Sequence, residues 1–164
     1  MSELAEDWSQ FNVAMAGATA ALAGLLIVAM SVNLKAIMAS RSLPVRMATA
    51  LTTLLVALAA TALGLAPGQP AWAYGLEVFV GASLAAAFEV RAIRAIMHDQ
   101  VLATVRRMAK SVAGTVPITS YLIGSVLLMT GSVAAGLWFF AAGAILAIAS
   151  AILHSWIVLI EVLR

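Results

Sequence analysis

At 164 residues, 64% hydrophobic and 10% charged, with a mean hydropathy of +1.08, the chain has too little polar surface to face water on all sides. Soluble domains carry about 25% charged residues. The composition predicts an all-α integral membrane protein, and the absence of cysteine excludes disulfides and thiolate metal or redox sites.

A membrane-spanning helix needs about 20 mostly apolar residues at 1.5 Å each. The segment before the first apolar run is acidic (Glu3, Glu6, Asp7), unlike the basic start of a secretory signal, so Met1 reads as the start of the mature chain. The first span is predicted at about 12–34, ending at Lys35. The second is predicted at about 47–66, where APGQPAW supplies two prolines and a glycine to stop it. The third covers about 73–90, short of Arg91. The apolar run after Lys110 is too long for one crossing and divides at GSVAAGLW, giving spans at about 116–134 and 137–163.

Five spans place all nine Lys and Arg residues on one side, in the 35–46 and 91–110 connections and at Arg164. The positive-inside rule makes that side cytoplasmic, so the N-terminus is expected outside and the C-terminus inside. Trp8, Phe11, Trp72, Tyr74, Trp138 and Phe139 fall at the predicted outer ends, where aromatic side chains anchor at the interface. The heavy use of Ala, Leu and Val without Cys suggests a bacterial plasma membrane. The pI of 9.5 is then a topology signal, and the lipid bilayer rather than nucleic acid is the expected partner.

Between spans three and four, RAIRAIMHDQVLATVRRMAK puts Ile93, Ile96, Met97, Val101, Val105 and Met108 at three-to-four spacing, with Arg94, His98 and Arg106 mainly elsewhere. This predicts a cytoplasmic amphipathic helix, either continuing span three or lying on anionic lipid.

The first span carries two faces. Asn12, Ala16, Thr19, Ala23, Leu26, Met30 and Asn33 follow one stripe at steps of four and three. Val13, Gly17, Ala20, Gly24, Val28 and Ser31 form a neighbouring face of mostly small residues, suited to close packing with a helix of the same chain or of a sister copy. On one reading of the stripe, interfacial water satisfies the two asparagines and Thr19 bonds its own helix backbone. On the other, several copies surround an axis. Asn12 and Thr19 then line an outer vestibule, Leu26 and Met30 a constriction that dewets, and Asn33 the inner mouth, over about 32 Å of helix.

Charged groups inside spans are candidates for function. Glu77 lies one turn inside the outer end of span three with no basic residue on that side, and is a candidate for an outer mouth or for contact with headgroup water. Glu89, near Arg91, and Glu161, near Arg164, suit interfacial pairing. His154 suits a hydrogen bond to a carbonyl or to Glu89. No HExxH, GxSxG, catalytic carboxylate pair or phosphate loop is present, so neither an enzyme nor a bound cofactor is expected.

Ala16–Leu34, with its Ala/Gly-rich stretch and Ser31-Val32-Asn33-Leu34 ending, resembles the first span of small hypothetical membrane proteins of actinobacteria. Some of these are labelled modulators of a membrane protease, so the resemblance implies a regulatory partner and no particular functional residue. Two functions are therefore expected: a self-associating passive ion or small-solute channel lined by the first span, or an accessory subunit packed on a larger membrane complex.

Overall fold

The computed structural model describes residues 2–39, 43–97 and 104–162. Among these the regular structure is wholly helical, in the order α1 (Ser2–Val32), α2 (Leu34–Ala39), α3 (Leu43–Leu63), α4 (Ala71–Met97), α5 (Thr104–Met129) and α6 (Val133–Val162). Four stretches are long and apolar enough to cross a membrane: Trp8–Val32, Leu43–Leu63, Ala71–Arg91 and Val133–Trp156. The apolar part of α5, Gly114–Met129, is shorter.

Glycine and proline place the turns at one end of the bundle. Gly68 in the α3–α4 connection and Gly131 between α5 and α6 have φ of 71° and 90°, a backbone region costly for residues with a Cβ. The Gly131 turn closes with Ser132 N–H donating to the Leu127 carbonyl at 2.8 Å. This turn ends α5 at Met129, earlier than the break expected near residue 134. Pro117 stands inside α5 rather than near its start: the helix runs on from Thr104, and the proline is fully buried.

Of the segment predicted as one amphipathic helix, residues 91–97 continue α4 and residues 104–110 belong to α5. His98 and Val101 lie outside the described residues, as do Arg41, Leu163 and Arg164.

α4, α5 and α6 form the tightest part of the bundle. A Cβ on Gly124 would lie 2.9 Å from the Gly136 carbonyl oxygen, and one on Gly136 would lie 2.9 Å from that of Gly124, so α5 and α6 touch backbone to backbone. One layer further, Gly143 receives the Tyr121 ring, and Gly75 of α4 sits against the Ser125 carbonyl and Leu128. Around these contacts Tyr74, Val78, Ala82, Ala85, Ile118, Tyr121, Leu128, Phe140 and Ala147 form one buried core. Small residues here let the helix backbones approach closely.

α1 joins this body through α3 and, more lightly, α6. Ala23 and Leu26 pack with Met47, Ala50 and Leu54 of α3 and with Ala151 of α6, and Ile37 of α2 closes the cluster. α1 stays the most open of the long helices, with 17% of its apolar window buried against 44% in α3 and α6. Trp8 meets Trp138 edge to face at 5.4 Å, fixing the start of α1 beside the start of α6. The bundle thus has an aromatic end, at Trp8, Tyr74 and Trp138, and an opposite end carrying Lys35, Arg46 and Arg91.

Candidate functional site

Three places combine polar side chains with unusual surroundings: the α1 stripe, the interior carboxylate of α4, and the α3–α4 seam.

The polar stripe of α1 turns into the protein's own interior. Thr19 is 0% and Leu26 5% exposed, and Asn12 is buried. Met30 is half-buried on the Leu26 cluster, and Asn33 lines a groove with Leu22, Leu26, Met47, Ala151 and Trp156. Thr19 Oγ1 donates to the Met15 carbonyl at 2.7 Å, and Asn33 Nδ2 to the Ala29 carbonyl at 3.0 Å. Both are local bonds that satisfy a polar group within its own helix. Asn12 lies where a Cβ on Gly64 would meet it at 2.5 Å, beside Tyr74, whose hydroxyl donates to the Ala60 carbonyl at 2.9 Å. Asn12, Tyr74, Tyr121 and Phe140 share a void of about 10 Å³, the space of about one water molecule.

The neighbouring small face points the other way. Gly17, Ala20 and Gly24 are exposed, and a Cβ on either glycine would meet nothing within 4 Å. Val13 and Val28, on the same face, are 58% and 60% exposed. Among the described residues this face packs on nothing.

Glu89 continues the inward stripe of α4 below Tyr74, Val78, Ala82 and Ala85. It is 3% exposed, and its Oε1 has no hydrogen-bond partner among the described residues. A Cβ on Gly114 would stand 2.7 Å from that oxygen and 2.9 Å from Thr49 Cγ2 of α3. The carboxylate expected at an interface beside Arg91 thus sits between three helices. Tyr121 Oη and Ser125 Oγ are likewise buried without a partner among the described residues. His154 Nδ1 lies 2.8 Å from the Ser150 carbonyl, which can only accept, so Nδ1 carries the proton and the ring is held within its own helix.

Glu77 stands on a different side of α4 from Glu89. It is exposed, accepts a hydrogen bond from Gln69 Nε2, and ends a groove of about 330 Å³ along the seam of α3 and α4. The sequence marked Glu77 by its missing counter-charge. The groove was not legible, because it depends on how far α3 and α4 stand apart.

No protein-family model, curated protein or solved structure matches the chain.

Proposed function

We propose that the chain is a non-enzymatic, five-span protein of a bacterial plasma membrane, N-terminus outside and C-terminus inside, that acts as an accessory subunit of a larger membrane complex. The observation that carries this reading is the open small-residue face of α1 at Gly17, Ala20 and Gly24. A helix that met only lipid tails would need no glycines there; glycines let a second helix approach closely where no hydrophobic drive exists. Connectivity supports the fifth crossing. α4 and α6 both start at the aromatic end, so α5 returns the chain across the same thickness. The gathering of Lys35, Arg46 and Arg91 at the opposite end supports the orientation.

The accessory reading is preferred to a channel lined by the first span. Such a channel places Asn12, Thr19 and Leu26 on an axis between copies, and these side chains are engaged inside the protomer instead. The void at Asn12 is also far too small to begin a path through a single copy.

The test uses the cysteine-free background. The mass of the protein purified alone in detergent, by light scattering corrected for bound detergent, is expected to be that of a monomer or a dissociable small assembly. Ala20→Cys is expected to crosslink to a second protein in native membranes, and Leu146→Cys, on an exposed part of α6, is not. A stable ring of four or more copies overturns the proposal in favour of the channel.

A further inference from the structure

The groove between α3 and α4 is unusual for its position. The two helices are joined by a short turn, yet they pack far less closely on each other than α4 does on α5 or α5 on α6. Buried Ala60, Val78 and Ala85 form the floor, Leu55, Leu84 and Phe88 the exposed walls. Gly81 adds an open notch in which a Cβ would meet nothing within 4 Å. From Glu77 to Phe88 the groove runs about 17 Å along α4, roughly three helical turns.

Glu77, the one charged wall residue among those described, selects the occupant. Glu77 lies about 8 Å along α4 from Trp72, below the aromatic level and within the apolar stretch Ala71–Arg91. A carboxylate at that depth is costly unless paired, and Gln69 supplies a neutral donor that leaves its charge uncompensated. A lipid tail brings no charge, and a headgroup ammonium lies outside the aromatic level. A lysine or arginine on a spanning helix reaches this depth along its own stem. A second copy in the same orientation cannot supply one, since no Lys or Arg occurs before residue 35, from 47 to 90 or from 111 to 163.

We propose that the α3–α4 groove seats a transmembrane helix of a different protein, one carrying a lysine or arginine about one turn inside its outer end, which pairs with Glu77. The inference rests on the membrane orientation proposed above but uses a surface separate from the α1 face.

The experiment uses the full chain in phosphatidylcholine vesicles, with a donor dye on Ala66→Cys in the exposed turn beside the groove. The probe is a synthetic Leu/Ala helix of about 20 residues carrying an acceptor dye and one lysine a turn inside its outer end, compared with the same helix carrying glutamine. The lysine helix is expected to bind about tenfold tighter, equivalent to about 1.4 kcal/mol. Glu77→Gln should bring the two within about twofold, and Gly81→Leu, whose Cβ enters open space in the notch, should weaken both. Equal binding of the two helices by the parent chain overturns the proposal. So does a preference that survives Glu77→Gln, or binding indifferent to Gly81→Leu. Loss of the lysine preference on adding phosphatidylethanolamine also overturns it, and assigns Glu77 to a lipid ammonium. None of these results depends on whether Ala20→Cys crosslinks, so failure here and failure of the accessory reading are separable.

Discussion

Substituting Gly136 by alanine probes the backbone-to-backbone contact of α5 and α6. The new Cβ would lie 2.7 Å from Leu128 Cγ, 2.9 Å from the Gly124 carbonyl oxygen and 3.1 Å from the Leu128 amide nitrogen. The leucine side chain can rotate away; the two backbone atoms cannot, so α5 and α6 must separate by a few tenths of an ångström. Overpacking of this kind costs about 1–3 kcal/mol, while alanine in place of a helical glycine returns up to about 1 kcal/mol. With two of the three contacts on backbone, the cost falls in the upper part of the first range, about 2–3 kcal/mol, and the expected net loss is about 1–2 kcal/mol. Gly17→Ala is the matched control: its Cβ meets nothing within 4 Å, so only the favourable term remains. Reversible unfolding in mixed dodecyl maltoside and dodecyl sulfate micelles, followed by far-ultraviolet circular dichroism, measures both. Because Gly124 and Gly136 share one contact, the second of two alanines should cost less than the first. Equal stability of Gly136→Ala and the parent chain would refute the backbone-to-backbone crossing.

Two further substitutions read the aromatic end in the same unfolding assay. Tyr74→Phe removes the buried hydroxyl bonded to the Ala60 carbonyl, which also accepts from the Gly64 amide at 3.0 Å. The carbonyl keeps a partner, so the loss should be about 0.5–1.5 kcal/mol, and a loss above that range would mean the hydroxyl does more than bridge α3 and α4. Gly131→Ala faces open space but sits at φ 90°, so it should cost about 1–2 kcal/mol through backbone strain alone. An unchanged midpoint would show that the α5–α6 turn relaxes to another geometry.

Much of this arrangement was legible from residue order. APGQPAW and GSVAAGLW marked the two turns at the aromatic end, because proline and glycine act locally. The steps 12, 16, 19, 23, 26 and 30 identified one face of α1 for the same reason. What that face meets was not legible. Periodicity says which residues point together, and a single chain does not say whether the neighbour is α3 or a copy of α1. The glycines show the same limit. Gly17 and Gly24 drew attention by their spacing and pack on nothing among the described residues. Gly124 and Gly136 fall in two different helices and show their role only when those helices are set side by side. Glu89 was placed at an interface by its distance from Arg91 along the chain; its burial comes from the room that Gly114 leaves on α5.

The meeting of Trp8 and Trp138 gives the molecule an optical consequence. Two indoles 5.4 Å apart with planes at 81° sense each other's excited states, and the other two tryptophans, Trp72 and Trp156, are largely exposed. The pair joins the most open helix to the glycine-knit body of α4, α5 and α6, so its near-ultraviolet dichroism reports whether the first helix is seated. Displacing α1 would erase that signal while the helical far-ultraviolet spectrum stays intact, and the docking of one helix could be followed in time without any added label.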